Sequence, residues 1–243
     1  MPITNNERQD MLTIKIADIP IGIDNRHEFL TRFCKDYLTD EPPLFTVTPT
    51  DEDIKREAEI AEADYPEDYL ESIVAYRKIA ERIGEFDALV FHGAILEMDG
   101  EAYAITAHSG VGKTTHVRLW LREFGDRVRI LNGDKPILRI IDGKIYACGT
   151  PWRGKESYGV NSMCPLSGIA FLQRGKINLS RRIKAEDAVM RFMNQIYLTK
   201  NDALSMVRTM RVADKILKSV PLIELECNMD REAARVAYRA FRE

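Results

Sequence analysis

The chain has 243 residues, 45% hydrophobic and 30% charged, with a formal net charge of −3 at pH 7. That is enough for one large domain, or a domain with a smaller elaboration, and the composition is that of a globular chain with ample core material. The slight acidity removes any electrostatic case for a nucleic-acid partner. No apolar run approaches membrane-spanning length, so no membrane partner is expected either. Cys34, Cys148, Cys164 and Cys227 are far apart without a CxxC pair, which indicates neither a zinc site nor a disulfide framework. Residues 5–10 are polar and lack the apolar centre of a secretion signal, so the expected location is cytoplasmic.

Residues 12–23 begin with the apolar/polar alternation of a half-buried strand, residues 25–37 suit a short helix, and residues 44–48 read as another strand. Thr50 before Asp51-Glu52-Asp53 is an N-cap followed by a charged, solvated helix over 51–63. Pro66 opens a second helix, with Tyr69, Ile73, Tyr76, Ala80 and Ile83 on one face. Its polar members Glu71, Ser72, Arg77 and Lys78 either line a pocket or face water, and water is the expectation. The texture changes near Phe86, which separates an N-terminal α+β region (1–85) from a larger domain (86–243). The first region could add strands to the same sheet or form an acceptor-binding lobe.

From Ala88 to Met98 the chain is apolar apart from His92-Gly93; Asp99-Gly100 and the run 101–107 then complete a hairpin. A glycine-rich loop and a helix with Val117, Trp120, Leu121 and Phe124 on one face follow. Residues 128–134 form a strand ending in Asp134, and 137–148 a second hairpin turning at Asp142-Gly143. Residues 149–159 are a loop dense in glycine and charge. A short buried strand at 169–172, amphipathic helices at 185–198 and 202–218, a strand at 221–227 and a final helix capped by Asp230 complete the order.

The chemistry centres on 107–115, Ala-His-Ser-Gly-Val-Gly-Lys-Thr-Thr, between a strand and a helix. In that setting it reads as a phosphate loop. Glycines let backbone N–H groups curl round phosphate oxygens, and the helix N-terminus adds its dipole. Ser109, Gly110, Val111, Gly112, Lys113, Thr114 and Thr115 would form the nucleotide cradle, with Lys113 on the β/γ-phosphates and Thr114 on Mg²⁺. Ala107 stands where the usual pattern begins with glycine. Asp134 is the carboxylate to pair with this loop, as metal ligand or base, although an Asn-Gly-Asp string can be only a turn. His92 is either a satisfied core histidine or part of the site. Arg153 and Lys155 could neutralise charge on a transferring phosphoryl group, Glu156 could take a proton or assist the metal, and Trp152 could cover a substrate; alternatively the segment is a plain surface loop. His108 and His116 read as local environment.

Phe91-His92-Gly93-Ala94, the hairpin, Ser109 to Thr115 and Gly133-Asp134 together resemble the kinase domain of HPr kinase/phosphorylase. They also resemble the nucleotide-binding domain of phosphoenolpyruvate carboxykinases, a P-loop type distinct from the ordinary doubly wound NTPases. The resemblance covers roughly residues 88–175 and is strongest over 91–134. The whole chain is similar to small stand-alone bacterial proteins of this type. What this implies is an α/β fold with a mixed-sheet P-loop core and an N-terminal α+β elaboration. It places Gly110, Gly112, Lys113 and Thr114 on phosphate and Mg²⁺, and gives His92 the support of a catalytic acidic group. Asp134 matches the first of two adjacent aspartates; the second is Lys135 here. Glu156 falls near a glutamate of the kinase's signature loop.

The implied activity is ATP- and Mg²⁺-dependent transfer of the γ-phosphoryl group to a serine-type hydroxyl of a protein, peptide or small molecule. Asp134 would be the first choice of base and Glu156 the second, with Thr114 and Asp134 on the metal and Lys113, Arg153 and Lys155 on the transferring charge. A nucleotide-binding regulatory module without transfer is the alternative. The chain is too short for a carboxykinase, and Leu166-Ser167-Gly168-Ile169 lacks the continuation of a transporter-ATPase signature. Homo-oligomerisation stays open.

Overall fold

The computed structural model describes residues 11–199 and 202–243; the polar stretch 5–10 lies outside them. Internal contacts divide the chain between Ile79 and Ala80, a little before the compositional change at residue 86.

In the first unit, β1 (Leu12–Ile16) and β2 (Ile19–Ile23) form an antiparallel hairpin. Ala17 and Asp18 turn it with φ of 51° and 59°, the paired left-handed geometry that matches strand twist. The single strand expected over 12–23 is therefore two. The alternation fades because all five β2 residues are buried. β3 (Phe45–Val47) joins β2 in parallel, and the three strands form a sheet of their own. The helix expected over 25–37 is shorter, α1 (Glu28–Phe33), followed by a 3₁₀ turn at Lys35–Tyr37. α2 (Asp51–Ile60) starts from a reciprocal cap: Thr50 Oγ1 accepts the Asp53 N–H, and the Asp53 carboxylate accepts the Thr50 N–H.

α3 (Glu67–Arg82) runs across the division. Two of its polar residues are not turned to water as expected. Glu71 and Ser72 are fully buried, and the Glu71 carboxylate accepts the N–H groups of Arg26 (2.7 Å) and His27 (3.1 Å). Arg77 and Lys78 reach Glu57 and Asp53 on α2, at 2.6 and 2.8 Å. A buried loop backbone needs acceptors, and this helix supplies one. The small core here is Ile54, Leu70 and Val74, with Tyr65 and Ile73 at its margin.

In the second unit the strands are β4 (Ala88–Val90), β5 (Ala94–Met98), β6 (Glu101–Thr106), β7 (Val128–Asn132), β8 (Ile137–Ile141), β9 (Lys144–Cys148), β10 (Met163–Arg174), β11 (Leu179–Arg182) and β12 (Leu222–Cys227). They follow the order β4-β8-β9-β10-β6-β5-β7, with β12 also paired to β10 and β11 to β12. Asp99-Gly100 and Asp142-Gly143 turn the β5–β6 and β8–β9 hairpins, all four residues at positive φ. β10 is the joint of the sheet. Its start pairs antiparallel with β9; beyond an irregularity between Leu166 and Gly168 it runs parallel to β6 and β12.

Helices cover both faces. α4 (Lys113–Phe124) and α7 (Glu232–Arg242) enclose Leu96, Tyr103 and Ile105 with Trp120 and Phe241. α5 (Ala185–Met193) and α6 (Ala203–Ser219) pack the opposite core around Ile95, Ala102, Ala104 and Phe192. β6 thus sends alternate side chains into two cores, as a central strand does. α5 ends five residues before the expected 198, because the chain turns at 194–195 and then passes beside β4: the Tyr197 N–H reaches Val90 O (3.2 Å) and Ile196 bridges Phe91. The last helix is capped by Arg231, not by the Asp230 side chain, which is engaged by Asn228 Nδ2 at 2.8 Å. Among the described residues no helix is long and apolar enough to cross a membrane.

Candidate functional site

β6 ends at Thr106 and α4 begins at Lys113, so residues 107–112 make the turn between a buried strand and a helix N-terminus. Gly110 and Gly112 have φ of +75° and +126°, and a Cβ added at either would meet nothing within 4 Å. Glycine is needed there for backbone conformation, and the space above the loop is open. Ala107 is different. Its methyl is buried in the core beneath α4 and α7, away from that space. The missing first glycine therefore costs the loop nothing on its open side.

Lys113 folds back so that Nζ donates to Ala107 O at 3.1 Å, closing the loop over its own start. Ser109, Thr114 and Thr115 are exposed. Arg174, at the end of β10, braces the loop from outside, with Nε donating to Val111 O (3.0 Å) and Nη2 to Gly110 O. Sequence reasoning missed this residue, since nothing local ties it to a loop 63 residues away. His116 lies behind the loop, buried, accepting the Trp120 Nε1–H at 3.0 Å; burial pulls its pKa down to about 4, so it is a neutral packing group.

The second component is the end of β7. Asn132 is fully buried, and its Oδ1 accepts the N–H groups of both Asp134 and Lys135 at 2.8 Å. This side-chain turn swings the chain out of the sheet and presents Asp134. The amide Nδ2 donates to Thr150 Oγ1 (3.0 Å), and that hydroxyl donates to Lys135 O (2.7 Å). Asn132 and Thr150 were not singled out in the sequence; the Asn-Gly-Asp string was the only local signal.

Asp134 is bracketed on both carboxylate oxygens, by His92 Nε2 at 3.3 Å on Oδ1 and by Lys135 Nζ at 3.2 Å on Oδ2. His92 is held through its backbone. Its N–H donates to Gln195 O (2.6 Å), and its carbonyl accepts the Thr106 hydroxyl (2.9 Å). Burial works to raise the Asp134 pKa, but hydrogen bonding from His92 and the charge of Lys135 outweigh it and hold the carboxyl at about 2. Burial lowers the pKa of Lys113; the negative charge of Asp134 opposes that, and Lys135 adds to it. His92, Lys113, Asp134 and Lys135, from three separate segments, thus form one interacting group.

The loop over 149–159 runs against this group. A Cβ on Gly154 would lie 2.8 Å from Asp134 Cβ, and Gly133 N–H donates to Tyr158 O at 2.9 Å. Arg153 is half-buried, with its side chain against Gly159, and Lys155 is exposed. Trp152 is buried, and so does not lie open as a substrate cover. Glu156 points to α4, where it pairs with Arg118 Nη2 at 2.8 Å.

Among the described residues no three His, Cys, Asp or Glu side chains gather as a metal site. One carboxylate and one hydroxyl near the glycine turn at 107–112 would instead suit an ion that takes most of its shell from a bound ligand and water, as Mg²⁺ does.

No protein-family model and no curated protein sequence matches the chain. Among solved structures it is similar to the Hpr(Ser) kinase/phosphatase from Coxiella burnetii, at 13% identity and a TM-score of 0.39, over 63% of this chain and 95% of that one.

Proposed function

We propose that the chain is an HPr-kinase-like enzyme that uses ATP and Mg²⁺ to phosphorylate a serine-type hydroxyl on a protein, peptide or small molecule. The observation that carries this reading is the Asp134 carboxylate, held by His92 and felt electrostatically by Lys113, beside two glycines that leave open space above the loop. Backbone N–H groups of 109–115 take the phosphates, and Lys113 neutralises the β/γ oxygens. Thr114 and Asp134 would hold Mg²⁺, whose contribution is to offset charge on the transferring group. Arg153 and Lys155 lie on the loop that runs past Asp134 and add positive charge to that rim.

A carboxylate held near pKa 2 is a weak base. A loose phosphoryl-transfer transition state asks little of one. Asp134 therefore serves to orient the acceptor hydroxyl and the metal, and His92 fixes the carboxylate's direction. Because Glu156 pairs with Arg118 on α4, this reading gives the acceptor to Asp134 and no base role to Glu156.

Label transfer from γ-labelled ATP to serine-containing acceptors tests this: Asp134→Asn abolishes transfer, and Lys113→Ala abolishes ATP binding. Undiminished ATP affinity in Lys113→Ala would refute the nucleotide site itself. A nucleotide-binding regulatory module is the second reading, favoured by Lys135 in place of a second carboxylate. It predicts binding without transfer to any acceptor, unchanged by Asp134→Asn.

A further inference from the structure

Both oxygens of Asp134 are occupied by protein cations or donors, yet the two partners are held very differently. His92 is fixed by backbone hydrogen bonds on both sides, and its neighbour Gly93 has no room for a side chain: a Cβ there would sit 2.4 Å from Phe91 Cε1. Lys135 is also fixed at its backbone, N–H to Asn132 Oδ1 and carbonyl to Thr150 Oγ1. Its ammonium, however, ends a flexible four-carbon stem and keeps 36% of its side-chain surface exposed. Lys113 feels the charges of both Asp134 and Lys135. Two cations of the chain thus stand close to one carboxylate, beside a loop whose backbone donors also favour an anion.

We propose that Lys135 is a second phosphate-binding cation, resting on Asp134 until a nucleoside triphosphate arrives. The incoming phosphate oxygens take the ammonium from Oδ2, and that oxygen becomes available to a metal ion. The positive charge that two adjacent carboxylates would leave to Mg²⁺ is here supplied by the chain itself. The site therefore binds triphosphate without a divalent ion. This inference rests on the nucleotide site proposed above.

ATP binding measured calorimetrically, with Mg²⁺ and with EDTA, tests it. In the unaltered protein, removal of Mg²⁺ weakens ATP by no more than about threefold. Lys135→Met weakens ATP in EDTA by about tenfold, the scale of one lost charge-assisted hydrogen bond, and weakens the Mg²⁺ complex far less; Lys135→Arg restores the metal-free affinity. A hundredfold loss on adding EDTA to the unaltered protein overturns the proposal without recourse to any variant. So does equal weakening of both forms by Lys135→Met, or none. Lys113→Ala separates the two claims. If it too leaves ATP affinity unchanged, the nucleotide site fails; if it abolishes binding while Lys135→Met has no effect, only the role of Lys135 fails.

Discussion

Replacing Asn132 with alanine tests how the site is held up. Asn132 is fully buried and touches no ligand position; its side chain joins the end of β7 to the loop over 149–159. Alanine removes two hydrogen bonds to Oδ1 at 2.8 Å and the donation of Nδ2, which is best to Thr150 Oγ1 at 3.0 Å and shared more weakly with Thr150 O and Trp152 O at 3.2 and 3.3 Å. At about 1 kcal/mol net for each, the loss is roughly 3 kcal/mol, because the Asp134 and Lys135 N–H groups are left without acceptors. Urea unfolding should show it as a lower midpoint at an unchanged slope. ATP affinity should fall as well, since the peptides that aim Asp134 are released. Thr150→Val removes the hydroxyl that links Lys135 O to Asn132, at a cost of about 1–2 kcal/mol. The double substitution should cost less than the sum by at least about 0.5 kcal/mol, because both break one network. A loss below about 1 kcal/mol in Asn132→Ala, or strict additivity with Thr150→Val, would refute the latch.

Three other outcomes follow from single contacts. Gly93→Ala forces a methyl to within 2.4 Å of Phe91 Cε1 and 2.9 Å of Ile105 O. Phe91 is buried and stacked on Phe192, so the unfolding free energy should drop by about 2 kcal/mol; an unchanged midpoint would show that the strand end yields freely. Glu156→Gln breaks an exposed pair with Arg118 and should leave stability and phosphoryl transfer within twofold, by about the worth of a surface ion pair. A hundredfold loss of transfer would place Glu156 at the phosphates after all. His116 is neutral in the folded chain down to about pH 4, whereas the unfolded chain takes up its proton below 6.5. Stability is thus fully present above pH 6.5 and falls by about 3 kcal/mol as pH drops to 4. Urea unfolding across that range reads the slope, and His116→Gln should flatten it.

Features set by a few adjacent residues were legible in the sequence. Two Asp-Gly pairs located the β5–β6 and β8–β9 turns because consecutive residues at positive φ demand such side chains. Thr50 with Asp53 located the start of α2 through a cap that spans three positions. β10 was legible only over four of its twelve residues. Pro165 and Gly168 look like breakers, but Pro165 sits in the short antiparallel stretch, and Gly168 is where the Phe241 ring leaves no space for a Cβ. The hairpin over 12–23 was missed for the opposite reason: Ala17 is no turn residue by habit, and burial of every β2 residue erases the period that separates two strands from one.

The site divides along the same line. Lys113 stood out through the glycine-rich string before α4, and His92 and Asp134 because they interrupt or follow an apolar strand, where a polar residue needs a reason. Asn132, Thr150, Gln195 and Arg174 did not, because what they do is donate or accept across the fold, and no spacing in the sequence encodes that. The two departures from the phosphate-loop and paired-aspartate patterns also part company once geometry is known. Ala107 keeps its methyl in the core, so the loop is chemically intact. Lys135 stands in the group itself, on the carboxylate that the proposed transfer depends on, and changes its charge from net negative to net positive. A change of that sign alters what the carboxylate can offer a metal ion, which is why the metal dependence of ATP binding is the measurement that separates the proposed site from one built on two aspartates.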